Sequence, residues 1–324
     1  MGRFVFLALL GMLCLISKGF STNLERLMDN VLVLRVRNID GSKVPVPLSC
    51  GEAFQNEQVT WKKNGVPQPG LQGNYIQVTV QEWGGGNYTC HQGPEGPTLN
   101  YTVIMVQLEP DNRTVILEPR SHEQDYIQCL TRNYRGLFHC SWSRSVERSD
   151  ATVLLVKGHR NHEPVLCEVE SSGSGMRCRD NVCPYEEERH RISLTVYMRS
   201  VYRLEAYTKV FFLREIVTPG PFPHLHLNGS VFKWDYPESW EKPCSFFSLL
   251  FHVKVVRNGE DCHSNNPLDE KNISKTEYPI DPIIIKPKRF VFCLRAQDKH
   301  TEGPWSHWSH CTVNRLHDKP VCFL

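Results

Sequence analysis

Three residues in the first third of the chain, Cys50, Trp61 and Cys90, have a spacing that few folds accommodate. The second cysteine closes the triplet Tyr88-Thr89-Cys90, so a tyrosine stands two positions before it. In a sandwich of two antiparallel sheets, a disulfide joins the sheets, the tryptophan packs on it, and such a tyrosine forms a corner. The spacing therefore predicts a β-sandwich with a disulfide between Cys50 and Cys90.

The residues around this trio support the same fold. From 31 to 107 the sequence shows short alternating apolar runs separated by Gly, Pro and Asn, which is typical of many short strands. The stretch between the cysteines is short for a variable-type domain with extra strands, so a constant-like or intermediate set is expected. We predict an immunoglobulin-like domain over residues 22–108.

The N-terminus has the pattern of a secretory signal. Arg3 precedes an apolar run over 4–16, and small residues follow where cleavage would fall, which predicts a signal peptide over 1–21 and a mature start between Gly19 and Asn23. A membrane-spanning helix needs roughly 20 mostly apolar residues, and no later run approaches that length. We expect a secreted, extracellular product without membrane insertion.

Composition limits the classes of partner. About 300 residues remain after the signal, enough for about three domains. The formal net charge is only +2, with both signs interleaved, so no nucleic-acid partner is expected. The cysteines are spread along the chain, as in extracellular domains that are each held by disulfides. Five Asn-x-Ser/Thr glycosylation sequons agree with secretion: Asn87, Asn100, Asn112, Asn228 and Asn272.

Two further sandwiches are predicted after the first domain. Cys129 and Cys140 enclose a short turn, which predicts two adjacent strands joined by a disulfide, and Trp142 shares a face with Cys140 because strand side chains alternate. Three alternating prolines over 219–223 exclude a helix or central strand. We place domain boundaries accordingly at 109–218 and 219–324.

Near the C-terminus stands a second tryptophan motif, Trp305-Ser306-His307-Trp308-Ser309. One interpretation is direct ligand contact by the tryptophans. The favoured one is a folding element in which the rings stack on arginine guanidinium groups of the adjacent strand. Arg295, and with it Arg289, lies at the even spacing that places side chains on one face.

The two motifs together resemble the paired domains of class I cytokine receptors, with Cys140-Ser141-Trp142 in one domain and Trp305 to Ser309 in the next. Within that family the chain resembles the receptor-like subunits of heterodimeric cytokines, which have one immunoglobulin and two fibronectin type III domains and no membrane segment. The resemblance is carried by Asn133-Tyr134-x-Gly136-x-Phe138-x-Cys140, Cys183-Pro184 with Glu186-Glu187-Glu188, Trp234-x-Tyr236-Pro237-x-x-Trp240, Phe247-Ser248-Leu249 and Arg295-Ala296-Gln297-Asp298. It implies an all-β chain: an N-terminal immunoglobulin-like sandwich followed by two fibronectin type III-like sandwiches.

The resemblance also implies partners and a covalent link. Such subunits join a four-helix-bundle alpha subunit through the cysteine of the Cys-Pro-acidic motif, here Cys183, and the pair engages cytokine receptor chains on lymphoid cells. The same resemblance pairs Cys167 with Cys178. Counting cysteines alone leaves the choice between Cys178 and Cys183 open.

By the same matching, a pocket for a basic residue of the alpha subunit is lined by Tyr134, Glu187, Phe246 and Asp298. Phe246 stands where the family usually has a tyrosine, and His300 where it has a second aromatic. The third segment carries five cysteines, namely Cys244, Cys262, Cys293, Cys311 and Cys322. We expect Cys293 to pair with Cys311 on neighbouring strands.

Other chemistries find no support in the sequence. No nucleophile, phosphate-loop or zinc-protease motif is present, so no enzyme is expected. The histidine pairs at 159 and 162 and at 224 and 226 lack partners at zinc-site spacing, so neither metal nor cofactor is expected. The alternative functions are a soluble receptor or decoy that binds its cytokine noncovalently and, less favoured, an adhesion protein of the matrix. A homodimer is also compatible with the sequence.

Overall fold

The computed structural model describes residues 24–37, 41, 43–108, 116–120, 125–181, 188–240, 248–281, 283, 289–301, 303–314 and 320–323. Regular structure in these residues consists of β-strands and four 3-10 turns, at Glu52–Phe54, Val146–Arg148, Leu213–Glu215 and Glu238–Trp240. The chain forms two compact units, Met1–Arg113 with Tyr202–Leu204, and Thr114–Val201 with Glu205–Leu324.

The first unit is a sandwich of two sheets. Its strands are β1 (Leu24–Met28), β2 (Val31–Val36), β3 (Lys43–Ser49), β4 (Val59–Lys63), β5 (Val66–Gln72), β6 (Tyr75–Gln81), β7 (Gly86–Gln92) and β8 (Thr98–Leu108). One sheet pairs β3 with β6, and the other runs β1-β2-β8-β7-β4-β5. All pairs are antiparallel except β2 with β8. This is the immunoglobulin-like sandwich that the sequence predicts.

The core of the first unit is built around the cysteine–tryptophan trio. Cys50 and Cys90 form a disulfide, and Trp61 lies directly opposite Cys90 on the neighbouring strand. Trp61 is 1% exposed, and its indole nitrogen donates to the Gly73 carbonyl at 2.9 Å. The one polar atom of this ring is thereby satisfied, which permits complete burial.

The second unit contains the remaining strands. They are β9 (Gln128–Leu130), β10 (Leu137–Ser141), β11 (Thr152–Arg160), β12 (Glu163–Pro164), β13 (Leu166–Val169), β14 (Gly175–Arg179), β15 (Ile192–Ser200), β16 (Arg203–Phe211), β17 (His226–Asn228), β18 (Val231–Lys233), β19 (Leu249–Arg257), β20 (Asp269–Ile273), β21 (Glu277–Pro279), β22 (Phe290–Asp298), β23 (Ser309–Val313) and β24 (Val321–Phe323). They form the sheets β13-β14-β10-β9, β17-β18-β21 and β20-β19-β22-β23-β24, while β12, β11, β15 and β16 lie side by side.

The largest apolar core of the second unit runs from Ile116 to Val313, and a smaller cluster surrounds the Cys262–Cys293 disulfide. The proline-rich segment over 219–223 forms no strand, but it is part of this core. Phe222 is fully buried, and its ring meets that of Phe251 edge-on at 5.8 Å between centroids. The division of this unit into two domains at 218/219 stays a prediction.

Three of the disulfides in the described residues bridge directly opposed positions on neighbouring strands. These are Cys129–Cys140, Cys167–Cys178 and Cys311–Cys322, with Cα atoms 4.0–4.1 Å apart. Each pair is separated by 11 positions in the sequence. A short hairpin of two strands has room for this spacing.

The predicted pairing of Cys293 with Cys311 is wrong. Cys311 lies opposite Phe292, and Cys293 opposite His310, so the two sulfur atoms are on opposite faces of the sheet. Cys293 instead bonds to Cys262, which lies in the chain that follows β19, and Cys311 bonds to Cys322.

Candidate functional site

Two of the predicted interface residues meet in the interior of the second unit. The hydroxyl of Tyr134 donates to Oδ2 of Asp298 at 2.7 Å. The other carboxylate oxygen accepts from the backbone nitrogens of His300 at 2.8 Å and Thr301 at 3.3 Å. Asp298 is 0% exposed and Tyr134 only 6%. Burial raises the pKa of Tyr134, and the hydrogen bond to Asp298 adds to the rise, so this hydroxyl keeps its proton.

The turn that carries Tyr134 has little freedom. Gly136 has φ +82°, and a Cβ atom there would lie 2.2 Å from the carbonyl oxygen of Asp180. The backbone nitrogen of Asp180 in turn donates to the Gly136 carbonyl at 2.9 Å. Only glycine fits this combination of positive φ and close approach. The ring of Tyr134 also packs edge-on against Trp240, at 5.8 Å between centroids.

A buried arginine connects this turn to a second cluster. The guanidinium of Arg160 donates to Asp180 at 2.7 Å and to Glu188 at 3.1 Å, and the Arg160 side chain is 6% exposed. Glu188 also accepts from the backbone nitrogens of Leu213 at 2.7 Å and Arg214 at 3.0 Å. Arg160 therefore holds residues on both sides of the segment 182–187.

Several predicted site residues lie outside the described residues. They are the proposed interchain cysteine Cys183, the pocket residues Glu187 and Phe246, and the sequon at Asn112. Of the four predicted pocket residues, the structure therefore places Tyr134 and Asp298, and it brings them into direct contact.

The C-terminal tryptophan motif forms a stack on the exposed face of the sheet that contains β22. The guanidinium carbon of Arg295 lies 4.7 Å from the ring centroid of Trp305 and 4.4 Å from that of Trp308. Both distances are in the range for cation–π attraction. Arg289, by contrast, is an exposed residue just before β22.

The second cation of the stack comes from a strand that the sequence analysis did not consider. Lys254 lies 5.8 Å from the centroid of Trp308, and His252 contacts both tryptophan rings at 5.1–5.4 Å between centroids. His252 and Lys254 are two positions apart on β19. They lie directly opposite Arg295 and Cys293, respectively, on β22. The alternation of His252 and Lys254 within an apolar strand was the available signal.

His252 is held in one neutral form by its neighbours. Its Nδ1 accepts from Arg295 Nε at 3.0 Å, so the proton is on Nε2, which donates to Glu270 at 2.6 Å. Burial lowers the pKa of His252, and the charges of Arg295 and Lys254 act in the same direction. Burial raises the pKa of Glu270, but hydrogen bonds from His252 and Lys254 outweigh it, and the net shift is downward.

The serines of the motif hold the tryptophan segment against β22. Ser306 exchanges two hydrogen bonds with Ala296: its backbone nitrogen donates to the carbonyl at 2.7 Å, and its Oγ accepts from the amide at 3.0 Å. Ser309 is 2% exposed and begins β23 opposite Leu294. These hydrogen bonds hold the tryptophan segment beside β22 and position both rings around Arg295.

The described sequons differ in accessibility. Asn228 and Asn272 are exposed, whereas Asn87 and Asn100 are half-buried. Oδ1 of Asn87 is shielded from solvent, and Nδ2 of Asn100 donates to the Cys50 carbonyl at 3.0 Å. Asn228 and Asn272 are therefore the better acceptors in the described part of the chain.

Two kinds of feature are absent from the described residues. No helix there has the length and hydropathy needed to cross a bilayer. No group of three or more His, Cys, Asp or Glu side chains there is arranged to hold a metal ion.

The strands define the class of fold: an immunoglobulin-like sandwich followed by fibronectin type III-like sandwiches. Residues 124–200 match the family model described as cytokine interleukin-12p40 C-terminus. The predicted resemblance is confirmed, because the chain is similar to interleukin-12 subunit beta along most of its length.

Three relatives show the extent of this similarity. Interleukin-12 subunit beta of Papio anubis is 27% identical over 290 residues, which cover 82% of this chain and 85% of the relative. The protein of the same name from Homo sapiens is 26% identical with the same coverage. That from Mesocricetus auratus is 26% identical and covers 83% of this chain and 86% of its own length.

Proposed function

We propose that the chain is the secreted beta subunit of a heterodimeric cytokine. It joins a four-helix-bundle alpha subunit by a disulfide, and the pair acts through cytokine receptor chains on lymphoid cells. The observation that carries this proposal is the similarity to interleukin-12 subunit beta over 82% of the chain. A binding role without catalysis follows from the same similarity.

We propose Cys183 for the covalent link because the resemblance implies it, and the disulfides of the described residues support the choice. Thirteen cysteines include Cys14 of the predicted signal and ten that form the five disulfides within the described residues. The other two are Cys183 and Cys244. The bond between Cys178 and Cys167 supports Cys183 in the choice that cysteine counting left open.

The contacts of Arg160 support this assignment. A cysteine that bonds to another chain must be accessible and must lie at a defined position, since thiol–disulfide exchange requires access to the attacking sulfur. Asp180 and Glu188 bracket Cys183 in the sequence, and one buried guanidinium binds both carboxylates. We assign Arg160 as the residue that positions the two ends of this segment.

Asp298 supports the proposed noncovalent anchor. Its carboxylate holds one neutral donor, the Tyr134 hydroxyl, and two backbone donors. A guanidinium from the alpha subunit would replace the tyrosine hydroxyl as donor and would pair the carboxylate with an opposite charge, which a neutral hydroxyl cannot do. The Tyr134 and Trp240 rings beside the carboxylate offer cation–π contact. Such a desolvated cationic anchor has the character of an interface hot spot.

The experiment that tests the covalent link is mass analysis of the secreted chain, with and without reductant, from cells that coexpress a candidate four-helix subunit. The wild type and a Cys244→Ser control are expected to yield a reducible heterodimer. Cys183→Ser is expected to yield only separate chains under denaturing conditions. Peptide mapping then identifies the partner of Cys183.

The outcomes distinguish the covalent cytokine subunit from the soluble receptor. A bond between Cys183 and a cysteine of this same chain, with the helical protein bound noncovalently, would favour the soluble receptor. A heterodimer that survives denaturation in Cys183→Ser would exclude this cysteine as the bridge. A bond between the Cys183 residues of two copies would identify a covalent homodimer.

A further inference from the structure

A shallow recess lies beside the tryptophan stack on the exposed face of the sheet that contains β19, β20 and β22. Its volume is about 380 Å³, and it is lined by His252, Glu270, Lys271, Asn272, Arg295 and Trp305. One of these residues begins the sequon Asn272-Ile273-Ser274. The recess therefore has a glycosylation acceptor in its own wall.

The strand register determines where a glycan on Asn272 would start. Asn272 lies directly opposite His252 on β19. His252 in turn lies directly opposite Arg295 on β22. Directly opposed residues of neighbouring antiparallel strands have their side chains on the same face. The side chains of Asn272, His252 and Arg295 therefore form one row, and the tryptophan rings flank its end at Arg295. A sugar joined to Asn272 would begin at the rim of the recess.

The chemistry of the recess matches that of a saccharide. Trp305 is half-exposed and provides an apolar ring surface. Glu270 accepts and Arg295 donates hydrogen bonds on this face, and the Glu270 side chain is 42% exposed. A pyranose ring has an apolar C–H face and an edge of hydroxyl groups, so it can use an aromatic ring and polar side chains together.

We propose that the N-glycan of Asn272 places its first N-acetylglucosamine in this recess. The C–H face of the sugar packs on Trp305, and its hydroxyl and acetamide groups meet Glu270 and Arg295. The sugar thereby shields the Arg295–tryptophan stack from solvent. This inference requires passage through the secretory route but no partner subunit, so it stands apart from the proposed cytokine function.

The chain offers a matched control site. Asn228 is also exposed, and it ends β17 at a hairpin turn that continues through Gly229 and Ser230. Ser274→Ala removes the acceptor sequon at Asn272 without altering the asparagine, and Ser230→Ala does the same at Asn228. Ser274 and Ser230 are both exposed, so neither change disturbs the core.

The test uses the full chain secreted from mammalian cells. Glycopeptide mass analysis gives the occupancy of Asn272, and hydroxyl-radical footprinting gives the oxidation rate of Trp305. We expect Asn272 to be occupied, Trp305 to oxidise several-fold faster in Ser274→Ala than in wild type, and Ser230→Ala to match wild type. An unoccupied Asn272, or an equal oxidation rate in Ser274→Ala and wild type, overturns the proposal.

Enzymatic trimming assigns the effect to the first sugar. An endoglycosidase that leaves one N-acetylglucosamine on each asparagine is applied to the folded Ser230→Ala variant. Protection of Trp305 is expected to persist after trimming. Loss of protection while the single sugar is still present would assign the shielding to the outer glycan and overturn the proposed contact.

Discussion

The two faces of β22 carry opposite charges in different ways. Asp298 points into the core at the end of the strand, is 0% exposed, and accepts three hydrogen bonds. Arg295 lies on the other face, half-exposed, between two tryptophan rings. A buried charge is tolerated only when it is fully hydrogen-bonded, whereas a half-exposed cation is satisfied by ring faces and water. Asp298 therefore depends on its three donors, whereas Arg295 depends on the two rings that flank it.

The largest expected effect comes from removing the buried carboxylate. Asp298→Ala leaves the Tyr134 hydroxyl and the amides of His300 and Thr301 without their acceptor. At about 1–3 kcal/mol for each of the three donors, the free energy of unfolding of the second unit should fall by about 3–9 kcal/mol. Urea unfolding of the secreted, non-reduced chain measures this loss. A loss below that of Arg295→Ala would reverse the comparison between the two faces.

Arg295→Ala should have the next largest effect. It removes two cation–π contacts and the hydrogen bond to His252, together about 2–4 kcal/mol. Arg295→Lys keeps the charge but not the flat group between the rings, so it should lose about 1–2 kcal/mol. The same urea titration compares the two variants, and equal stabilities of Lys and Ala would show that the ring contacts depend on the guanidinium plane alone.

Tyr134→Phe tests whether the donor to Asp298 is exchangeable. Loss of the hydroxyl should lower the free energy of unfolding of the free subunit by about 1–2 kcal/mol, because one oxygen of Asp298 loses its donor. Affinity for the helical subunit, measured by calorimetry in a Cys183→Ser background, should be kept or increased. A weakened complex would mean that the hydroxyl itself contacts the partner.

The smallest expected effect is a pH dependence of the outer stack. The folded pKa of His252 lies below its ordinary value of 6.5, so the unfolded chain binds the proton more readily. Its contribution to stability is therefore present above pH 6.5 and lost as the pH falls through the lowered folded pKa. The downward shift of Glu270 acts in a separate window, below its ordinary value of 4.5.

His252→Gln removes this titration while keeping a side chain that can donate and accept. Thermal midpoints of the wild type and the variant, measured from pH 7.5 down to pH 5, should converge as the pH falls. A difference between them that is constant with pH would show that His252 does not titrate in this window.

The sequence predicted cysteine pairings well where a recognisable motif surrounds the cysteines and poorly where none does. Cys50, Trp61 and Cys90 have a spacing that is typical of an immunoglobulin-like sandwich, and the structure contains that disulfide with the tryptophan beside it. Cys129–Cys140 and Cys167–Cys178 share a separation of 11, and so does Cys311–Cys322. That repeated separation was the signal that would have prevented the mistaken pairing of Cys293 with Cys311.

The residues that surround Arg295 could be predicted only in part. The tryptophans and serines form a contiguous motif, so the sequence shows them directly. His252, Lys254 and Glu270 lie on two other strands, and only the register of β19 and β20 against β22 brings them to the stack. Similarly, the link from Arg160 to Glu188 joins residues 28 positions apart, and no pattern in the sequence indicates it.

The sequence by itself determined the strand-rich architecture, the immunoglobulin-like disulfide and the two tryptophan motifs, because alternation and short spacings are local properties of the chain. Tertiary structure decided which face each residue of β22 occupies, which cysteine Cys293 meets, and which charges surround Asp298 and Arg295. Register sets these contacts, since a shift of one residue would exchange the two faces of a strand. Register in turn depends on burial summed over many strands, which no single motif encodes.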